Sequence, residues 1–241
     1  MRYIYKSFYR MFFMAFKKGD FIEINFTGKT LNGEVFDSNV KEELEKLHEG
    51  HNHKVDAKPF IFPIGQSMFL KGVEEFLIGK DVGNYKIELP PEKAFGKRDS
   101  KLIQIAPSRI FKEQRVAPFP GAVFNFDGKI AKVLSVSGGR ITVDFNNPLA
   151  GKDVVYEINV LRSVDDMNEK VKSVIEFLFK KDLEFEIKDK MLILKVEKPL
   201  VKFVELFKEK FKEILNLDLE VREITEESSN KKKQVKNHNN S

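Results

Sequence analysis

The 241-residue chain contains no cysteine, no tryptophan and only four histidines. The missing thiols remove disulfides, thiolate metal sites and cysteine nucleophiles together, and they fit a reducing compartment. No apolar run is long enough to cross a bilayer, and the basic, aromatic opening MRYIYKSFYRMFFMAF lacks the apolar stretch and cleavage site of a secretory leader. The Gly-Lys pairs at 79–80 and 151–152 lack the glycine spacing of a phosphate loop, and no serine or threonine sits in a nucleophile elbow. The net charge of +5 collects at the two ends, around Arg2, Lys6 and Arg10 and around Lys231, Lys232 and Lys233. It is not interleaved with aromatics on one face, so solvated termini are expected and no nucleic-acid partner.

What is present is a core. With 41% apolar residues, a chain of this length builds one large domain or two to three small ones. Recognisable fold signals begin at Lys17. Residues 1–16 are therefore set outside the fold, as untranslated sequence ahead of Met11 or Met14 or as a disordered extension. From Phe21 to Phe26 apolar and polar residues alternate as in a strand, ended by Thr27-Gly28. Asn32-Gly33 has the composition of a two-residue hairpin turn, with Glu34 to Asp37 returning. A short surface helix is expected over 41–47, an extended segment over 59–65, a helix from Leu70 to Phe76 and a strand from Lys86 to Leu89.

Between 97 and 147 the pattern changes to an antiparallel meander: Ala122 to Phe126, Lys129 to Val136 and Arg140 to Phe145, with turns at Asp127-Gly128 and Gly138-Gly139. One helical turn is expected at Arg109 to Phe111. VVYEINVLRS (154–163) has no local partner, so it is expected to return to the first sheet, which makes the middle segment an insertion. Beyond it come a helix capped by Ser163, a strand around Leu183 to Ile187 and the strand MLILKV (191–196). A helix opened by Pro199 and a strand around Leu217 to Val221 complete a small α/β unit. MLILKV is apolar on both faces, so one face can pack on its helices and leave the other for a partner, as a scaffold would need. The polar tail from Thr225 is expected to be disordered.

Three histidines, His48, His51 and His53, share one loop; they are the chain's candidate ligands for Zn or Ni, against the simpler reading of a solvated loop, and no catalytic metal is assigned to them. Phe26, Phe36, Phe60, Phe62, Phe69, Phe95 and Tyr156 fall at strand ends and in loops. Two readings stand side by side for this set: ordinary core, or an apolar pocket with Asp37 at its edge.

The segments INFTGKTLNGEVFDSN, FIFPIGQSMFLKGVEEFLIGKDVG, YKIELPPEKAFG and VVYEINVL, in that order, resemble the FKBP-type peptidyl-prolyl cis/trans isomerases. The long segment after AFG resembles the insert-in-flap chaperone domain of the SlyD-like branch, whose long archaeal members carry an extra C-terminal domain. The resemblance implies an α+β fold: an FKBP-like antiparallel half-barrel sheet around a short helix, with an inserted small β-rich domain and a C-terminal α/β domain. The segments are then 1–16 extension, 17–96 with 148–162 isomerase domain, 97–147 insert, 163–224 C-terminal domain and 225–241 tail. Carried over, it implies catalytic roles for Asp37, Phe36, Phe26, Phe95 and Tyr156, and substrate binding by Phe60, Phe62, Phe69, Leu70 and Val73. Phe26 and Phe95 stand where the family commonly has tyrosine, and Val73 where it often has tryptophan, which implies a roomier pocket and weak binding of the family's macrolide inhibitors.

No cofactor is implied. The implied partners are unfolded or partly folded polypeptides with X-Pro bonds, held by an apolar patch of Val116, Phe119, Phe124 and Phe126, with Val123, Ile130 and Val133 as further candidates. No membrane association is expected, and the location implied is cytoplasmic. So small a C-terminal unit buries little core by itself, and two completions stand open: docking on its neighbour, or on a second copy of itself as a homodimer through the C-terminal domain. The rival reading is a holdase whose pocket is vestigial, and a second rival is an assembly scaffold built on the C-terminal module.

Overall fold

The computed structural model describes residues 15–47, 57–113, 115–126 and 128–224. The histidine loop, the tail and all but the end of the N-terminal extension lie outside the described residues. The end of that extension is a correction: Phe16 is buried, its N–H donates to Lys80 O at 2.8 Å, and Gly79 N–H donates to Phe16 O at 2.8 Å. The fold therefore starts before Lys17, because a large apolar ring is anchored there.

Alternation makes β1 (Phe21–Thr30), but the strand does not end at Thr27-Gly28. It runs through Gly28, where an added Cβ would sit 2.8 Å from the Phe36 ring and 3.0 Å from Tyr156. Glycine marks a close approach here, not a stop. Nor is the hairpin into β2 (Val35–Ser38) a two-residue turn. Thr30 N–H donates to Glu34 O and Gly33 N–H to Thr30 O, both at 2.9 Å, so Leu31, Asn32 and Gly33 form a three-residue loop. Gly33 takes φ 84°, the left-handed position such a loop assigns to glycine.

There follow α1 (Lys41–Leu47), β3 (Phe60–Pro63), α2 (Lys71–Leu77) and β4 (Gly83–Leu89). Next come β5 (Ile103–Pro107), α3 (Ser108–Glu113), β6 (Val123–Phe126), β7 (Lys129–Ser137), β8 (Arg140–Asp144) and β9 (Val154–Ser163). One sheet has the order β2-β1-β9-β4, with β3 antiparallel to β1, so 154–163 returns to the first sheet as expected. A second, antiparallel sheet has the order β5-β8-β7-β6. Its fourth strand, β5, was not legible as one, because Pro107 ends a run of only five residues.

Ser163 is the last residue of β9 and caps nothing; Val164 N–H still donates to Phe21 O at 2.8 Å. The helix α4 (Met167–Phe179) starts later, where the Asp166 carboxylate accepts from Glu169 N–H at 2.9 Å. Then β10 (Glu184–Lys188) and β11 (Met191–Val196) form a hairpin, and β12 (Asp218–Glu223) lies parallel to β11. The helix after Pro199 is broken into α5 (Val201–Glu205) and α6 (Lys208–Leu215). The break leaves Phe203, Phe207 and Phe211 with ring centroids 6.1, 5.1 and 6.3 Å from Phe179.

The chain divides into two compact units, one from the described parts of Met1–Thr27, Asp37–Tyr85 and Glu157–Ser241, the other from Gly28–Phe36 and Lys86–Tyr156. In the first, Phe21, Ile22, Ile24, Phe62, Ile64, Val73 and Leu77 are buried, and α4 packs against β3. The uncovered face expected of MLILKV is absent: Leu192, Ile193, Leu194 and Val196 are all buried within the single chain. In the second, Phe111, Ala131, Val133, Ile141 and Val143 form a core. Among the described residues no helix is long and apolar enough to cross a membrane.

Candidate functional site

In the first unit the β1–β3 register sets Phe60 opposite Ile24 and Phe62 opposite Ile22. Residues two apart on a strand share a face, and the rings of Phe60 and Phe62 stack at 5.3 Å with an interplanar angle of 15°. Phe69 comes from the turn before α2. It meets Phe62 at 5.5 Å, Phe60 at 5.9 Å and Phe26 edge-on at 4.8 Å. Four residues from three segments thus make one aromatic cluster, whose edge and tilted contacts each add about 0.5–1.5 kcal/mol beyond area burial. Phe62 and Val73 are fully buried, whereas Phe60, Phe69 and Leu70 are half-buried and carry the accessible surface.

Two polar residues that the sequence reading did not single out hold this cluster. Glu74, buried on α2, accepts from the backbone N–H groups of Gly65 at 2.7 Å, Ser67 at 3.1 Å and Phe69 at 2.7 Å. That carboxylate shapes the loop that presents Phe69, and a buried charge is tolerable only with such a set of donors. Asn39 Oδ1 accepts from Phe26 N–H at 2.7 Å, while its Nδ2 donates to Ile24 O at 3.0 Å and Lys58 O at 3.1 Å. One amide therefore fastens the β1 backbone at Phe26 to the approach of β3. A carboxylate three residues into a short helix, and an asparagine directly after FDS, were the available signals.

Asp37 is set off from these. It is exposed at one side, and the part of its carboxyl that neighbouring groups shield from water raises its pKa above the ordinary aspartate value, with the Ser38 backbone hydrogen bond pulling the other way. Beside it, Ser38 Oγ donates to Phe26 O at 2.9 Å and lies 3.0 Å from Thr27 Oγ1.

In the second unit Phe36 meets Phe95 at 5.6 Å and Tyr156 at 5.8 Å, both near-perpendicular. Tyr156 is buried, while Phe36 and Phe95 are half-buried. Of the residues singled out between 97 and 147, Val116, Phe124 and Phe126 pack on the core around Phe111, and Val133 belongs to that core. Phe119 is 63% exposed, and Val123, Ile130 and Ile105 are 61%, 65% and 66% exposed. The last three lie on strands β6, β7 and β5, on positions that alternate with the buried ones.

The aromatic cluster of the first unit opens onto a cleft of about 770 Å³. Phe26, Phe60 and Phe69 line one side, and Lys172, Ser173 and Phe177 of α4 line the other. Among the described residues no group of three His, Asp or Glu side chains is placed to hold a metal ion, and the three loop histidines lie outside that description.

Residues 14–188 match the family of FKBP-type peptidyl-prolyl cis-trans isomerases. A short-type peptidyl-prolyl cis-trans isomerase of Methanocaldococcus jannaschii is 34% identical over 145 residues, which cover 60% of this chain and 91% of its own. The FKBP-type 16 kDa peptidyl-prolyl cis-trans isomerase of Escherichia coli (strain K12) is 37% identical over 125 residues, 48% of this chain and 83% of that one. The FKBP-type peptidyl-prolyl cis-trans isomerase SlyD of Aeromonas hydrophila is 27% identical over 142 residues, 58% and 60% of the two chains.

Proposed function

The chain belongs to the FKBP-type peptidyl-prolyl cis-trans isomerase family, and from that premise we propose that it speeds X-Pro rotation in folding polypeptides while its insert holds the client. The barrier to be lowered is about 18–20 kcal/mol, set by amide resonance. In the twisted transition state the prolyl nitrogen leaves conjugation and the amide loses dipolar character. Apolar surroundings then disfavour the planar ground state relative to the twisted one. An acceleration of about a thousandfold requires only about 4 kcal/mol.

The observation that supports the isomerase part is the aromatic wall of half-buried Phe60 and Phe69, backed by buried Phe26, opening onto the cleft. In this reading Phe60, Phe62, Phe69, Leu70 and Val73 bind the prolyl segment, the buried members by supporting the exposed rings. Phe26, Phe36, Asp37, Phe95 and Tyr156 act on the reacting amide. Asp37 works through its charge and hydrogen bonding on the prolyl carbonyl, not by proton transfer.

The holding part rests on the outer face of the insert sheet, where Ile105, Val123 and Ile130 are exposed and Phe119 adds a ring. Tethering there raises the local concentration of prolyl bonds. A cytoplasmic location, suggested by the lack of cysteine, belongs to the same proposal. So does a homodimer through the C-terminal segment, for which exposed Phe203 and Leu206 are the candidate contacts.

The test is cis/trans exchange of the peptide Ala-Leu-Pro-Phe, followed by NMR, with the intact protein and with Phe36→Ala plus Asp37→Ala. Acceleration by the intact protein that disappears in the double variant is the expected result. No acceleration by the folded, intact protein sinks the enzyme reading and leaves the holdase, which the double variant's retained suppression of client aggregation then supports.

A further inference from the structure

We propose that helix α4 of the C-terminal segment is the second wall of the substrate site, and that Lys172 on it and Lys180 directly after it select prolyl segments carrying an acidic residue beside the prolyl bond. The inference rests on the isomerase reading and adds a substrate preference to it. The cleft is continuous with the aromatic cluster, because Phe26, Phe60 and Phe69 line both. Its volume of about 770 Å³ lies high in the range of about 300–1,000 Å³ for ligand clefts, which leaves room for residues flanking a prolyl ring.

The helix is held across the cleft by ion pairs from both ends. Arg162 of β9 pairs with Glu23 of β1 and lies 2.8 Å from Glu169 on α4. Lys58, just ahead of β3, pairs with Glu176 on α4. These contacts neutralise the three carboxylates of the lining. The remaining cations are engaged differently. Lys172 lies 4.0 Å from the exposed Asp182. The Lys180 ammonium sits over the Phe177 ring, 4.9 Å from its centroid. Two lysines that line the same cleft as Phe60, Phe69 and Phe177 therefore complement a chain that offers an apolar proline and a nearby carboxylate. Neutral or basic flanks gain nothing from them.

NMR exchange provides the test. The core sequence Ala-Leu-Pro-Phe is extended by two glutamates on its N-terminal side, by two on its C-terminal side, or by glutamines at the same places. With the unmodified full chain, one acidic flank should raise kcat/KM about fivefold over its glutamine match, as two exposed ion pairs of ordinary strength give. The advantage should shrink as salt is raised, since exposed charges are screened. In the variant Lys172→Glu plus Lys180→Glu, checked for folding by its melting curve, the ratio of acidic to glutamine peptide should fall to one or below. Equal turnover of acidic and glutamine peptides, or an advantage untouched by salt or by charge reversal, overturns the proposal while leaving the isomerase standing. Absence of turnover for every peptide instead removes the isomerase reading, and this inference with it.

Discussion

The sheet of residues 103–144 and the sheet of residues 184–223 are both small, yet they treat their apolar side chains in opposite ways. In the C-terminal sheet the central strand β11 buries Leu192, Leu194 and Val196 on one face and Ile193 on the other. Its neighbour β12 runs parallel to it, and a parallel pair needs a crossover connection. Here the crossover is α5 and α6, which pack on β12. The sheet of residues 103–144 is antiparallel throughout, and a tight turn at Gly138 and Gly139 joins β7 to β8. Here α3, with Phe111, and the loop residues Val116 and Ala122 cover one face, and Ile105, Val123 and Ile130 stay in water on the other. The manner of connection, more than the number of apolar residues, decides which sheet keeps a sticky side.

The sharpest way to break this contrast is to hollow each core. Phe111→Ala should cost about 3–5 kcal/mol and Leu194→Ala about 2–5 kcal/mol. Amide exchange followed during denaturant titration should show the first releasing residues 103–144 and the second releasing residues 184–223. Joint release of both sheets by either change would mean that they do not unfold as separate bodies.

A smaller effect is expected at Asp144, the last residue of β8. Burial pushes the Asp144 carboxyl up, but hydrogen bonds from Asn146 and the Arg98 guanidinium outweigh that and leave its pKa below the ordinary aspartate value. A depressed carboxyl stabilises the fold above the unfolded aspartate pKa, and the contribution is lost as pH falls through the folded value. Asp144→Asn should therefore cost about 1 kcal/mol near neutrality and progressively less in acid, read from melting temperatures across pH.

The smallest change in stability is predicted on the exposed face. Val123→Ser and Ile130→Ser should each shift stability by no more than about 0.5 kcal/mol. Together they should markedly weaken suppression of client aggregation while leaving exchange of a tetrapeptide unaltered. Undiminished suppression would detach the insert's outer face from client binding.

Legibility followed the range of the forces. The element order after Lys17, the meander and the helix-strand-strand-helix-strand ending were readable because periodicity and turn residues act within a few positions. Phe60 and Phe62 were readable as one face for the same reason, since a strand alternates every second residue. Asn32-Gly33 was recognised as a turn, but its three-residue form was set by the pairing of Thr30 with Glu34. Ser163 had the right chemistry for a cap, yet the bond from Val164 to Phe21 keeps that stretch in the sheet and hands the cap to Asp166. Glu74 and Asn39 were passed over because their partners lie 5–9 and 13–19 residues away.

Sequence by itself determined the family, the order of elements and the identity of the aromatic set, since each is carried by short patterns of residue type. Only the tertiary structure decided which of those aromatics keep accessible surface and that β11 has no free face. The same holds for the cleft between α4 and the wall of Phe26, Phe60 and Phe69. Burial and clefts come from surfaces brought together over more than a hundred residues of chain, as Lys58 and Glu176 are, and no local pattern encodes that meeting.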